Sequence, residues 1–338
     1  MDSEKISVST MNLFIKGVLK LELLQVKELG KRIKSNISKV IVGKDEVIDL
    51  VLTSLFCSGH VLLEDVPGVG KTMLAKCLAR SIDCEFKRIQ FTPDLLPTDL
   101  TGINYFDQKK GEFVFRQGPI FANILLADEI NRATPRTQSS LLECMEERQV
   151  TIDGDTKTLA LPFFVIATQN PVETQGTFPL PEAQLDRFIM RIKMGYPSTR
   201  ESKEILDRFQ HKNSSADVDI VASAEEVIEA QKAFACVNVS DAVKDYIVSI
   251  VEATRNHEKI SLGVSPRGSM ALMKAAQVYA ALKARDYVIP DDIRYLAVPV
   301  LAHRIILKGH TVVTKGVKSQ EALISDILKT IPVPTEEF

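Results

Sequence analysis

Short apolar runs alternate with apolar residues at helical spacing along the first part of the chain. Apolar runs bounded by turn residues predict β-strands at residues 60–64, 86–92, 123–127, 163–168 and 188–194. Between some of these runs, apolar positions on one helical face predict helices at residues 73–81 and 137–147. This alternation predicts an α/β domain with helices on both faces of a parallel sheet.

Helical periodicity dominates on both sides of that region. Residues 11–38 and 44–58 are predicted to be helical before the first strand. After residues 195–198 the strand signals fade, and helices are predicted at residues 199–210, 224–235, 240–255, 266–284 and 290–301. We therefore expect a helical leader, a central α/β domain and a smaller all-α C-terminal domain, at residues 1–38, 39–196 and 197–338.

Two segments interrupt the alternation of strands and helices. Residues 101–118 and 149–161 each carry alternating apolar and polar positions around a glycine turn. Both are predicted to be β-hairpins inserted into the α/β domain.

Composition and charge narrow the classes of protein. The 338 residues are 45% hydrophobic and 25% charged, which is typical of a globular protein. The formal net charge of -2 gives no global attraction to nucleic acid, so we expect no nucleic-acid partner. The N-terminus lacks a basic segment followed by an apolar core, and no stretch of about 20 apolar residues is present. We expect a cytoplasmic protein without a transmembrane segment.

A glycine-rich run follows the first predicted strand and opens a helix. It matches the pattern G-x-x-x-x-G-K-[ST], in which backbone N–H groups surround phosphates, the lysine reaches the β- and γ-phosphates, and the hydroxyl binds Mg²⁺. The first glycine of that pattern is replaced here by Asp65, which tolerates the turn. The run predicts an ATP site formed by Asp65, Val66, Pro67, Gly68, Val69, Gly70, Lys71, Thr72 and Met73.

Two carboxylates end the strand predicted at residues 123–127. An apolar run followed by acidic residues is common, but beside a phosphate loop it predicts hydrolytic chemistry. Asp128 is expected to hold Mg²⁺ with Thr72, and Glu129 to activate the attacking water. Because neighbouring residues on a strand point to opposite sides, the two carboxylates are expected to be divided between metal and water.

A third strand end carries an amide side chain. Asn170 follows the apolar run at residues 163–168 and precedes a proline. Asn-Pro alone predicts only a turn. Beside the other two strand ends, Asn170 is a candidate for contacting both the water and the γ-phosphate.

In combination, these runs resemble the AAA+ ATPases and, within them, the MoxR-like group. The resemblance covers about residues 35–330 and is carried by LEDVPGVGKT at residues 63–72, ADEINRA at 127–133, ATQNP at 167–171, PEAQLDRF at 181–188 and SPR at 265–267. It implies a nucleotide-binding α/β domain followed by a helical lid. The family's own phosphate loops tolerate a residue other than glycine where Asp65 stands.

The resemblance also implies roles for residues outside the strand ends. Arg187 matches the arginine that a neighbouring subunit contributes to ATP, although it could instead form an ordinary ion pair with Asp186 or Glu182. Arg132 and Arg191 are alternatives for that role. Arg267 matches a lid arginine that contacts phosphate, the alternative being that it is merely solvated beside a helix cap. Val42 and Gly43 match a segment that packs against adenine, although a glycine before a helix is usually only a turn.

As a member of this group the chain would form a homo-oligomeric ring, a hexamer by resemblance. It would use ATP and Mg²⁺ to remodel or activate a client protein, or to help metal insertion into it. A protein with a von Willebrand A domain would be the partner. The alternatives are a ring-shaped nucleic-acid motor and a scaffold that binds nucleotide without hydrolysing it.

Overall fold

A computed structural model describes residues 8–64, 66, 68–170, 176–210, 218–308 and 319–334, with only the backbone described for residues 8–21 and 209. The N-terminal part of the predicted leader, and Asp65 and Pro67 of the glycine-rich run, lie outside these ranges.

Five parallel strands form the main sheet, in the spatial order β2-β5-β8-β1-β9. All four neighbouring pairs are parallel, as the alternation of strands and helices predicted. The strands described in the chain are β1 (Val61–Glu64), β2 (Phe86–Gln90), β3 (Gly102–Asp107), β4 (Glu112–Gln117), β5 (Ile124–Asp128), β6 (Gln149–Ile152), β7 (Asp155–Thr158), β8 (Phe164–Gln169), β9 (Met190–Ile192), β10 (Ile260–Leu262) and β11 (Ile306–Leu307).

The helices agree closely with the predicted segments. They are α1 (Val8–Ser38), α2 (Asp45–Phe56), α3 (Lys71–Ser81), α4 (Pro97–Thr101), α5 (Pro135–Glu147), α6 (Glu182–Leu185), α7 (Thr199–Gln210), α8 (Ala224–Ala233), α9 (Asp241–Arg255), α10 (Pro266–Leu282), α11 (Pro290–Leu301) and α12 (Gln320–Thr330). Sequence periodicity missed α12 and the short helices α4 and α6. Five or fewer residues give too little periodicity to detect α4 or α6.

Two apolar clusters stabilise the molecule on either side of the sheet. The larger one joins residues of α1, α2 and α3 to one sheet face and to the C-terminal helices. The smaller one lies on the other face and includes Leu62, Leu125 and Val165. Since neighbouring residues of a strand point to opposite faces, β5 contributes Leu126 to one cluster and Leu125 to the other.

Both predicted hairpins are present. Strands β3 and β4 pair in one hairpin and β6 and β7 in the other, each antiparallel. The amide of Asn104 in the first hairpin donates a 2.7 Å hydrogen bond to Asp153 in the second. The Lys157 ammonium lies 4.7 Å from the centre of the Phe115 ring. The two insertions therefore contact each other.

In the part of the C-terminal region that the structure describes, a small sheet accompanies the helices. Strands β10 and β11 pair antiparallel with three and two residues, which an all-α prediction did not include. Strands this short show no alternation that a sequence pattern can reveal. Among the residues that the structure describes, no helix has both the length and the apolar character to cross a membrane.

A buried histidine stands before β1. His60 Nδ1 accepts a 3.0 Å hydrogen bond from the Val165 N–H, so Nε2 carries the proton and donates to the Met145 carbonyl at 3.0 Å. Both ring nitrogens are therefore used by the neutral form. Burial is the main cause that lowers the pKa of His60 from its ordinary value to about 4.

This histidine should make stability depend on pH. Below about pH 6.5 the unfolded chain protonates His60, while the folded chain does not until about pH 4. Stability is therefore lost as the pH falls through that window, by about 1.4 kcal/mol per pH unit at most. The variant His60→Gln keeps one donor and one acceptor but does not titrate. Between pH 7.5 and 5 we expect the wild type to lose about 2 kcal/mol more than the variant in urea unfolding followed by circular dichroism. Equal losses would contradict a neutral buried His60.

Candidate active site

The carboxyl ends of three neighbouring strands meet at one edge of the sheet. Strand β8 lies between β5 and β1, with Glu64 opposite Gln169 and Ala127 opposite Ala167. The glycine-rich loop follows β1, the acidic pair follows the core of β5, and Asn170 follows β8. The three sequence segments are thus brought together at the edge where open parallel sheets bind ligands.

Backbone conformation makes the loop after β1 suitable for anions. Gly68 and Gly70 have φ values of +85° and +94°, which residues other than glycine rarely adopt. Gly70 is the N-cap of α3, and Lys71, Thr72 and Met73 form its first turn. The N–H groups of a first turn lack helical partners, so they remain available to phosphate oxygens.

Asp128 is held from two sides. The Thr168 hydroxyl donates to Oδ1 at 2.5 Å, and the Arg88 guanidinium donates to Oδ2 at 2.7 and 3.1 Å. The carboxylate is 15% exposed, so one side still faces solvent. Its position is fixed by β5, which ends at this residue.

Glu129 does not follow the strand geometry predicted for it. Strand β5 ends at Asp128, and Glu129 adopts a left-handed conformation with φ 56° and ψ 50°. Alternation along a strand is therefore the wrong reason for separating the two carboxylates. The turn itself redirects Glu129, and the Thr168 hydroxyl accepts a 2.8 Å hydrogen bond from its backbone N–H.

The carboxylate of Glu129 is paired within the chain. Gln90 Nε2 donates to Oε2 at 2.6 Å, and Arg132 Nε lies 3.1 Å from the same oxygen. Glu129 must exchange these contacts for a water molecule before it can act as a base.

Three residues at this edge were not identified from sequence: Arg88, Gln90 and Thr168. Arg88 and Gln90 stand two positions apart on β2 and therefore share a sheet face, and Arg88 also donates to Gln90 at 2.9 Å. The spacing of these two polar residues, with Ile89 between them, was a usable signal. Thr168 gave no signal, because its contacts depend on the pairing of β5 with β8.

Asn170 and Val42 are buried, and Gly43 stands shortly before α2. Asn170 is buried directly after β8, at the same edge as Asp128. Gly43 precedes α2 with φ +68°, and a Cβ there would clash with the Glu201 carboxylate. A turn and a close contact therefore explain this glycine. The adenine contact by Val42 and Gly43 remains a prediction.

Arg187 and Arg267 lie together at the opposite edge of the sheet. Arg187 Nε is 3.0 Å from Glu146 Oε2, and Arg267 Nη2 is 3.2 Å from Glu146 Oε1. Glu146 stands near the end of α5, which returns from the carboxyl edge. Residues Gly59 and His60, which precede β1, line the same cavity of about 300 Å³ as the two arginines.

The site residues therefore form two separate groups within one chain. The length of β1, roughly 13 Å, separates the glycine-rich loop from the edge where Arg187 and Arg267 lie. Arg267 was expected to link the lid to phosphate, but in this structure its partners are Glu146 and, at 3.9 Å, Asp186. Arg187 is paired with Glu146, rather than with the carboxylates near it in sequence.

The two alternative arginines are placed differently. Arg132 lies at the carboxyl edge beside its own Glu129. Arg191 is only 11% exposed and contacts Glu321 at 2.8 Å. Burial tends to raise the pKa of Glu321, but a hydrogen bond from Lys193 and the charge of Arg191 outweigh it and lower that pKa to about 2. Neither side chain is on the surface that carries Arg187.

The side-chain oxygens of Thr72 and Asp128 at the carboxyl edge are suitable ligands for Mg²⁺. Mg²⁺ prefers oxygen ligands and usually retains several waters. The Thr72 hydroxyl stands in the first turn of α3, and the Asp128 carboxylate is partly open to solvent. Arg88 already neutralises one oxygen of Asp128, so this ion pair would have to loosen for a cation.

Comparison with known proteins agrees with this arrangement. Residues 60–190 match the model described as "ATPase family associated with various cellular activities (AAA)", and residues 252–327 match the AAA lid domain. The chain is 53% identical to the uncharacterised protein YeaC of Bacillus subtilis, with 91% of this chain and 95% of YeaC covered. It is 42% identical to Chaperone MoxR1 of Mycobacterium tuberculosis, with 88% and 80% covered.

The fold also matches a solved structure. A crystal structure of a candidate ATPase from Cytophaga hutchinsonii superposes with a TM-score of 0.87 and 38% sequence identity. The match covers 96% of this chain and all of that one. The similarity therefore extends over both the α/β region and the helices that follow it.

The Thr168 hydroxyl should be needed for ATP hydrolysis. It joins Asp128 to the backbone of Glu129, so Thr168→Val removes both contacts with little change of volume. We expect at least a tenfold lower kcat, with ATP affinity changed by less than about threefold. Thr168→Ser keeps the hydroxyl and is the matched control, expected near wild-type turnover. Wild-type turnover by the valine variant would show that the bridge is dispensable.

Proposed function

This chain belongs to the MoxR family of AAA+ ATPases, and we propose that it hydrolyses ATP at sites shared between neighbouring copies in a ring. One copy would supply the carboxyl edge with its phosphate loop, and the next would supply the edge that carries Arg187. The observation behind this proposal is the separation of the two groups of site residues, which the length of β1 keeps apart in one chain.

At the carboxyl edge, the proposed roles follow from position. The first turn of α3 would bind the phosphates through its N–H groups, and Lys71 would neutralise the β- and γ-phosphates. Thr72 and Asp128 would hold Mg²⁺, which supplies positive charge to the phosphate oxygens when bound. Asn170, buried beside them, would contact the attacking water and the γ-phosphate.

Glu129 is proposed to orient and deprotonate the attacking water. Its carboxylate is engaged by Gln90 and Arg132, so hydrolysis requires that this pairing be exchanged. Both partners contact the same oxygen, Oε2, so this oxygen is already occupied by side chains of its own chain. The resting contacts would therefore restrain hydrolysis until nucleotide and neighbour are in place.

Arg187 is proposed to complete the site of the neighbouring copy. Charge develops on the transferred phosphoryl group, and an arginine there commonly accelerates hydrolysis by about 10³–10⁵-fold. In this structure the single carboxylate of Glu146 pairs with both Arg187 and Arg267. Phosphate from the neighbour would compete with this carboxylate for both guanidinium groups, so Arg267 is proposed to act across the same interface.

We propose that the energy of hydrolysis remodels or activates a client protein, or helps metal insertion into it, with a von Willebrand A domain protein as partner. The name of Chaperone MoxR1 supports a chaperone role for this chain. The first hairpin offers a surface for protein contact, since Phe106 and Phe113 are 52% and 73% exposed. Ring assembly as a hexamer is part of the same proposal.

Three variants separate the proposed roles. Lys71→Ala should weaken ATP binding, because the phosphates lose a cation. Glu129→Gln should bind ATP normally and hydrolyse it at least a hundredfold more slowly. Arg187→Ala should lose turnover to a similar extent while binding ATP normally. Fluorescent-nucleotide binding and phosphate release measure both properties, and chelation of Mg²⁺ should abolish turnover in every variant.

The same variants test the client. Glu129→Gln should retain ATP and any client bound in the ATP state, so affinity purification with ATP should recover a client that Lys71→Ala does not. A recovered von Willebrand A domain protein would support the proposed partnership. Recovery of DNA, with turnover stimulated by DNA, would contradict it in favour of a nucleic-acid motor. Normal turnover by Arg187→Ala in assembled rings would exclude Arg187 as the completing arginine.

A further inference from the structure

Arg304 is a buried arginine that the proposed site does not use. It follows α11 in the C-terminal region, and its side chain is only 3% exposed. Its Nε donates to Asp186 Oδ1 at 2.6 Å. The same guanidinium donates to the carbonyls of Asp186, Phe188 and Ile189 at 3.2, 2.8 and 3.2 Å. These contacts surround Arg187 on both sides in sequence.

The segment that carries Arg187 has little regular structure of its own. Helix α6 ends at Leu185 and β9 begins at Met190, so residues 186–189 belong to neither. Their N–H groups bond to nearby carbonyls, but three of their four carbonyls accept from Arg304. A planar guanidinium offers five donors in fixed directions. One side chain therefore fixes the backbone on both sides of Arg187.

Arg267 is linked to the same group of contacts through Asp186. Asp186 Oδ1 binds Arg304, and Asp186 Oδ2 lies 3.9 Å from Arg267 Nε. A Cβ at Gly268 would lie 3.0 Å from Arg304 Cδ, so the start of α10 packs closely against this side chain. Arg304 thus contacts the two elements that present Arg187 and Arg267.

We propose that Arg304 is a positioning residue that holds Arg187 and Arg267 in the orientation that reaches the ATP of the neighbouring copy. This inference rests on the proposed function, since it requires Arg187 to act across the interface. Arg304 comes from the C-terminal helical region and Arg187 from the α/β region. A movement of one region relative to the other would therefore displace the arginines and change hydrolysis in the neighbour.

A purely structural role predicts a different outcome. If Arg304 only fastens the C-terminal region to the sheet, its loss would lower the stability of its own chain. Hydrolysis per folded chain would then stay normal, or the phosphate loop of the variant chain itself would no longer support hydrolysis. If Arg304 positions Arg187, the phosphate loop of the variant chain stays competent. A different copy with an intact Arg187 segment can then complete that site.

The test uses the full-length ring and the variant Arg304→Met, which keeps an unbranched side chain of similar reach. We expect kcat to fall about 10–100-fold, with KM for ATP and fluorescent-nucleotide binding changed by less than about twofold. Arg304→Lys keeps the charge beside Asp186 but loses most of the forked contacts, so we expect an intermediate loss.

Mixing supplies the decisive readout. Lys71→Ala chains have a defective phosphate loop, but their Arg304 contacts to the segment that carries Arg187 are intact. Rings assembled from equal amounts of Arg304→Met and Lys71→Ala chains should recover about a quarter of the wild-type turnover, because about that fraction of interfaces combines the two intact halves. Turnover no higher than the average of the two separate variants would overturn the proposal.

Two controls make each failure distinguishable. Arg187→Ala mixed with Lys71→Ala must also recover turnover. If this mixture does not recover turnover, the proposed sharing of sites is wrong. If the Arg187→Ala mixture recovers turnover but the Arg304→Met mixture does not, only the role of Arg304 is wrong. Arg285→Met breaks another ion pair of the C-terminal region, whose bonds to Asp292 are 2.8 and 2.6 Å. It should lower stability but leave kcat per folded chain unchanged.

If Arg304→Met fails to fold, Asp186→Asn keeps the shape and removes the charge that Arg304 and Arg267 share. It should give a smaller kcat loss, again recovered by mixing with Lys71→Ala. An unrecovered loss with Asp186→Asn would contradict the proposal in the same way.

Discussion

The parallel direction of five short strands determines where each charged group can act. Strands of three to six residues carry the phosphate loop, Asp128 and Asn170 to one edge of the sheet. The helices return the chain, and α5 carries Glu146 to the other edge, where the two arginines contact it. Since β1 pairs with a parallel strand on each side, no local movement brings the arginines to the phosphate loop of the same chain. In the proposed ring, the arginines of one copy would instead reach the phosphate loop of the next.

Four charged groups proposed for catalysis, Asp128, Glu129, Arg187 and Arg267, each have an internal partner in the chain. Arg88 pairs with Asp128, Arg132 and Gln90 with Glu129, and Glu146 with Arg187 and Arg267. Buried or half-buried charges need such partners, because desolvation without pairing is costly. In the proposed ring the pairings would also restrain hydrolysis, since nucleotide and neighbour would have to replace them. Stability of the free chain and control of its chemistry would then depend on the same contacts.

Local patterns revealed the parts of this site that depend on local structure. The glycine-rich run and the strand ends were predicted because each is set by a few consecutive residues, and the described helices and strands agree closely. The direction of Glu129 was not predictable, because it depends on a left-handed turn rather than on strand alternation. The position of Arg267 depends on Glu146, 121 residues away in sequence, and the environment of Arg304 depends on Asp186, 118 residues away. Pairings at such distances leave no periodic signal in one sequence.

We propose that each ATP site is completed by a second copy of the chain. Turnover per chain, measured over a dilution series with oligomeric state followed by sedimentation, tests it most directly. Turnover should fall in parallel with the assembled fraction and reach the level of Arg187→Ala when the chain is monomeric. Constant turnover per chain down to concentrations at which only monomer remains would contradict it.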